Sequence, residues 1–288
     1  MLRPLYRLFA LLLLPAWLTG VHAEPGTERV VLYARHQAND PNTPYMLALL
    51  ALAKSKAGLK LNIQPSKSSM NQGRATLELR EHTGQVHLLW AMTSQQRETE
   101  LLPVRIPLDK GLMGWRIPLV RKSQAALFEA REKADIAKLS AGQMADWPDT
   151  EILRANHFAV SVTAQYENLF AMLSHGRIDY FPRSISEVWQ ELADHSAMGI
   201  VIETSSVIHY PTAFYFFVGP LDTELAAGIE RGLEIAIRDG SFEQTFLAFN
   251  REAIERAGLA QRRVIRLDNP LLPKETPIRR SELWFRPQ

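Results

Sequence analysis

Val30-Val31-Leu32-Tyr33-Ala34, the polar run His36 to Asn42, and then Thr43-Pro44-Tyr45-Met46-Leu47-Ala48-Leu49-Leu50 carry the reading of the fold. The first segment is β-branched and aromatic, as a half-buried strand requires. Thr43 is a helix N-cap type, Pro44 suits the first helical position, and Met46, Leu49, Leu50 and Ala53 recur at helical spacing. The unit is strand, loop, helix. It repeats downstream, with a strand expected at Leu59 to Gln64, a helix at Met70 to Glu81 and a strand at Val86 to Trp90. Strands alternating with helices of this length imply a largely parallel, wrapped sheet.

After Trp90 the rhythm changes. Val104 to Leu108 and Leu112 to Val120 are closely spaced strand candidates around the turn signal Asp109-Lys110-Gly111, which suits a hairpin or a crossing between lobes. Alternation then resumes. A helix is expected near Leu127 to Leu139, a glycine-bearing loop at Ser140 to Trp147, a helix at Asp149 to Asn156 and a strand at Phe158 to Val162. A helix at Gln165 to His175, a strand at Ile178 to Phe181, a helix at Ser184 to His195 and a strand at Met198 to Glu203 follow. Tyr210 to Val218 reads as one long apolar strand that carries the chain back, and helices at Asp222 to Arg238 and Phe242 to Ala257 close the compact part. The proline-bearing tail from Arg266 reads as extended chain on the surface.

The fold class expected is α/β with two lobes, each a wrapped mixed sheet, joined by two crossing strands. Residues 24–116 and 212–288 form lobe 1, with the C-terminal helices and tail, and residues 117–211 form lobe 2. Residues 1–23 read as a secretory signal peptide: Arg3 and Arg7 precede the apolar run Leu8 to Leu18, and Val21-His22-Ala23 offers a small-x-small cleavage site. The run is broken by Pro15 and is shorter than the ~20 residues of a spanning helix. The mature chain is expected to begin near Glu24, in the periplasm, with no membrane insertion. Losing Arg3 and Arg7 leaves 31 basic against 31 acidic residues, so charge gives no reason to expect a nucleic-acid or membrane partner. With no cysteine, disulfides, thiol nucleophiles and thiolate metal sites are excluded.

No nucleophile elbow, zinc-protease motif, P-loop or dinucleotide fingerprint occurs, and the eight histidines are isolated from one another. No cofactor is called for. Three segments fall at the ends of expected strands, where open α/β sheets bind ligands. Thr93-Ser94-Gln95-Gln96-Arg97 offers hydroxyls and a guanidinium for a carboxylate, or else a capped turn with a solvent-facing arginine. Gly142 to Thr150 brings helix-start amides, with Trp147 as a flat wall and Asp149 either at the site or a plain cap. Arg177 to Ser184 places Arg183 toward a cleft, or in an ion pair with Glu187 four residues on. The aromatic strands read first as core, with Tyr180 kept among the candidate ligand contacts.

The chain resembles the periplasmic solute-binding proteins of the type II fold, the amino-acid-binding-like family-3 group that serves ABC transporters. The resemblance lies in Met92-Thr93-Ser94 to Arg97 followed by Leu102-Pro103-Val104, in the Gly142 loop ahead of a helix, and in Gly176-Arg177-Ile178-Asp179-Tyr180-Phe181; it covers Val30 to Ala257. It implies an arginine, here Arg97, that grips a ligand carboxylate. It also implies an acid for the ligand ammonium after the strand ending at Phe181, but Pro182-Arg183-Ser184 stands there instead. A monomer that closes on a small anionic solute is therefore expected, held by Arg97, Thr93, Trp147, Asp149, Arg183 and Tyr180, with an ABC permease or a membrane sensor as partner. The competing expectation is a periplasmic dehydratase-like lyase on the same fold, using Asp149 or Glu187 as acid or base.

Overall fold

Strand β1 (Arg29–Arg35) is the first element among the described residues, 28–36 and 40–287, of a computed structural model. The expected signal peptide lies outside the described residues. Helix α1 (Thr43–Ala57) begins one residue earlier than read from the sequence, with Asn42 as cap and Pro44 in the first turn, and ends at Gly58, whose φ of 64° is the left-handed conformation glycine adopts without cost. Strand β2 (Leu61–Ser69), helix α2 (Gln72–Arg80), strand β3 (Leu88–Met92), helix α3 (Gln95–Glu100) and strand β4 (Leu102–Val104) follow. The chain then crosses to the second lobe as β5 (Trp115–Arg121), α4 (Lys133–Ile136), β6 (Ala141–Met144), α5 (Pro148–Ala155), β7 (Val160–Thr163), α6 (Glu167–Ser174), β8 (Tyr180–Ser184), α7 (Val188–Asp194), β9 (Ile200–Ile202) and β10 (Ser206–His209). It returns through β11 (Phe214–Val218), α8 (Thr223–Arg238) and α9 (Ser241–Ala257), and leaves again in β12 (Arg263–Arg266).

Two sheets result. The first runs β2-β1-β3-β11-β4, and its central strands β3 and β11 are buried at every position, as strands covered on both faces must be. The second runs β12-β10-β5-β8-β6-β7, with β9 also on β5. Among the described residues no helix is long and apolar enough to cross a membrane.

Four expectations need correction. Tyr210 to Val218 is not one strand, because β10 ends in the second sheet at His209 and β11 begins in the first at Phe214. Pro211 between them has no N–H to continue either ladder. The helix expected over Leu127 to Leu139 shrinks to the four residues of α4, with Leu127 and Phe128 buried in turns. Ser140 to Trp147 contains the buried strand β6, and its glycine serves packing: a Cβ on Gly142 would lie 2.4 Å from Ile178 Cδ1. Last, the division at 116 cuts through β5, and the tail does not belong to lobe 1 alone. Strand β12 pairs in parallel with β10, from Ser206 opposite Arg263 to His209 opposite Arg266.

The two segments that link the sheets, residues 105–114 and 210–213, touch where a Cβ on Gly114 would sit 2.2 Å from Tyr210 O, so only glycine fits. The tail adds a further link. After β12, Asp268 N donates to Asn156 Oδ1 at 3.0 Å in lobe 2, and the chain then returns to lobe 1. There Leu271 O accepts from Gln95 N at 3.0 Å, Arg280 pairs with Glu234 of α8 at 2.5 Å, and Phe285 N donates to Lys110 O at 2.7 Å.

Candidate functional site

A cleft of about 340 Å³ opens between the lobes at the carboxyl ends of β1, β3, β6 and β8, the usual place for a ligand in open α/β sheets. Its second-lobe wall is built from charge. Arg116 and Arg183 lie side by side because β5 and β8 pair antiparallel, with Arg116 opposite Ser184 and Ile117 opposite Arg183. The arginines are 2 % and 3 % exposed, so each guanidinium needs partners inside the protein. Arg116 donates from Nε to Tyr210 Oη at 3.0 Å and pairs with Asp149 at 2.6 Å and Glu187 at 3.6 Å. Arg183 donates from Nε and Nη2 to Glu191 at 2.6 to 3.0 Å, and its Nη2 forms an ion pair with Glu187 at 2.9 Å. Helix α7 and the turn before it place Glu187 and Glu191 one turn apart, on the same side.

Tyr166 donates to Glu191 at 2.5 Å, and Tyr210 also donates to Asp149. Burial works against the Arg183 charge, but Glu187 and Glu191 outweigh it and hold its guanidinium well above the ordinary arginine range. Its guanidinium carbon lies 4.8 Å from the ring centre of Trp147 and 4.9 Å from that of Phe181, so it is packed against aromatic rings and paired with carboxylates.

The first-lobe wall is mainly aromatic and amide. Trp90 stacks on Tyr33 at 5.0 Å and 28°, and its indole N–H points at Asp40 Oδ2, 3.4 Å away. Gln72 lines the cleft at the start of α2. Among the described residues no group of three or more His, Asp or Glu is arranged to hold a metal ion.

Of the six residues expected at the site, Trp147, Asp149 and Arg183 line this cleft. Arg97 does not. It is 8 % exposed and lies behind Gln72, donating from Nη2 to Gln72 Oε1 at 3.1 Å and from Nη1 to Met92 O. Burial lowers its guanidinium to about 10. Thr93 is fully buried and donates to Glu98 at 2.6 Å. Tyr180 is fully buried edge-on to Phe128 at 5.0 Å, on the opposite face of its strand from Phe181. Arg116, Glu191, Tyr166 and Trp90 were missed as site residues. Arg116 did leave a signal: a charge inside Trp115-Arg116-Ile117-Pro118-Leu119-Val120 must be buried with a partner.

No family model matches the chain, and no protein of curated function matches it. Solved structures do resemble it. An ancestral arginine-binding protein bound to glutamine is 14% identical, with a TM-score of 0.58 over 76% of this chain and 97% of that one. A periplasmic His/Glu/Gln/Arg/opine family-binding protein from Silicibacter pomeroyi in complex with lysine is 11% identical, with a TM-score of 0.56 over 77% of this chain and 96% of that one. A histidine kinase sensor domain with similarity to periplasmic binding proteins is 15% identical, with a TM-score of 0.53 over 77% and 95%. The fold is that of the two-lobed periplasmic binding proteins, which agrees with the resemblance read from the motifs.

Proposed function

We propose that this chain is a solute-binding protein whose lobes close on a small solute carrying a positively charged nitrogen. The charge of the cleft carries the reading. Arg116 and Arg183 line it together with Asp40, Asp149, Glu167 and Glu187, so four carboxylates face two guanidinium groups. Both guanidinium groups are paired inside the protein. A carboxylate solute would meet arginines whose charge is already compensated and would lie beside Glu187 and Asp149 as a like charge. A cationic nitrogen answers the excess acid instead, and Trp90, Trp147, Tyr166 and Phe214 line the cleft beside it. The anionic solute expected from Arg97 and Arg183 is set aside on this ground. Solved structures with this fold hold glutamine and lysine, in keeping with the change.

Closure follows from geometry, because only a closed cleft lets both walls touch one solute. The test is a thermal-shift screen followed by calorimetry with lysine, arginine, ornithine and putrescine against succinate, glutarate and citrate. Stabilisation by members of the first set supports the reading, and stabilisation by the dicarboxylates alone overturns it. Recovery of the bound solute unchanged after prolonged incubation would bear out binding over turnover.

Delivery to an ABC permease is the role we assign, since one solved structure of this fold is the substrate-binding protein of an amino acid ABC transporter. The sensor domain of a histidine kinase shares the fold as well and keeps a sensing role as the second reading. Uptake of labelled solute, lost when the gene is deleted, supports transport. The signal peptide reading places the protein in the periplasm, and the periplasmic form is expected to begin near Glu24.

A further inference from the structure

Among the described residues, two hydrogen bonds cross the cleft away from the connecting segments. Asn42, ahead of α1, donates to Glu187 Oε1 at 3.0 Å, and the backbone N–H of Gly73, in the first turn of α2, donates to Asp146 Oδ2 at 3.0 Å. Asn42 reaches a wall of the cleft, whereas neither Gly73 nor Asp146 lines it, so the second bond leaves room for a solute.

The chemistry of that second bond is specific to where it falls. Helix α2 has nine residues, Asn71 accepts only the Arg74 amide, and the first turn has no acid of its own. Its N-terminus therefore carries an unanswered positive end and spare amides. Asp146, from the loop between β6 and α5 of the other lobe, supplies the missing carboxylate. Arg97, held at the same end of α2 by Gln72 Oε1, adds a cation there, and Asp146 is the leading acidic influence on it. The other oxygen of Asp146 is buried and finds no hydrogen-bond partner among the described residues. One carboxylate thus sits on a helix N-terminus of the opposite lobe, at the end of α2 where Gln72 also holds Arg97. Gly73 is not there to make space: a Cβ would lie 3.6 Å from Asp146 Oδ2, an ordinary contact.

We propose that Asp146 is a positioning residue that latches the lobes together without solute. It raises the population of the closed, binding-competent state and so the apparent affinity for whatever the cleft takes. Its purpose rests on the solute-binding reading, but the latch itself is measurable with no solute present.

The chain has no cysteine, so Lys60→Cys in lobe 1 and Lys138→Cys in lobe 2 accept spin labels at those two positions alone. In the unliganded full chain, Asp146→Ala should move the interlobe distance distribution toward longer values and lower the closed-to-open ratio about five- to tenfold. Gly73→Ala keeps the amide and should leave the distribution unchanged. Raising ionic strength should shrink the short-distance population of the parent and leave that of Asp146→Ala as it is. Should Asp146→Ala fail to fold, Asp146→Asn keeps the side chain's size without its charge and should shift the ratio in the same direction. Identical distributions for the parent and the folded variant overturn the latch, even if the cation screen succeeds. A shifted distribution supports the latch even if no solute in the screen binds.

Discussion

The two walls of the cleft carry their arginines differently. In lobe 2, Arg116 and Arg183 are paired with Asp149, Glu187 and Glu191 in a buried network that two tyrosine hydroxyls complete. In lobe 1, Arg97 is withdrawn behind Gln72 and holds a backbone carbonyl and an amide oxygen, with no carboxylate in hydrogen-bond contact among the described residues. The difference shows what burial demands. A guanidinium deep in a strand pair must be neutralised where it lies, while one at a helix end can rest on neutral oxygens. An arginine at a strand end is therefore not in itself a carboxylate receptor.

The largest effect that sharpens this contrast is on stability. Arg183→Ala strands Glu187 and Glu191 in the interior and should cost about 3–5 kcal/mol in denaturant unfolding. Arg97→Ala removes only hydrogen bonds to neutral oxygens and should cost about 1–2 kcal/mol. Equal losses would break the distinction between the two walls.

The turn that connects the walls between β4 and β5 gives a second test. Asp109 is 3 % exposed, and burial pushes its carboxyl up to about 6 against the amides of Met113 and Gly111, which favour its charged form. A carboxyl raised in the folded state holds its proton more tightly than in the unfolded chain. Its stability contribution is present below about pH 4 and is lost as pH rises through about 6. Relative to Asp109→Asn, the parent should lose about 1–3 kcal/mol of unfolding free energy between about pH 4 and 7. A constant difference across that range would show that the connection does not titrate.

The smallest effect probes the aromatic wall alone. Asp40→Asn keeps the shape beside Trp90 but removes a charge, and should weaken a cationic solute about three- to tenfold with little change in melting temperature. An unchanged affinity would assign charge recognition wholly to lobe 2.

How far the site was legible depended on how local each interaction is. Arg183 and Glu187 are four residues apart, and their ion pair was one of two readings open at the sequence; the structure makes it and adds Glu191. Arg116 and Asp149 are paired across elements 33 positions apart, and nothing in either segment names the other. Arg97 was read through a motif whose residues are present but whose guanidinium is turned to Met92 O and Gln72. Gly142, read as a loop signal, answers to the side chain of Ile178, far along the chain.

The order β1-α1-β2-α2-β3 and the closing pair α8-α9 were determined by the sequence alone, because hydrophobic periodicity, Pro44 at a helix start and Gly58 at its end act within a few residues. The tertiary structure gathers buried side chains of both lobes, from Val31 and Trp90 to Phe170 and Tyr180, into one continuous apolar cluster. The tertiary structure decided that β12 leaves the tail to join the second sheet, that the cleft arginines answer to the protein's own acids, and that Asp146 caps a helix of the other lobe. Each of these joins groups distant in sequence. Burial compels a charge or an edge strand to find a partner, but which partner is chosen depends on what folding brings within reach.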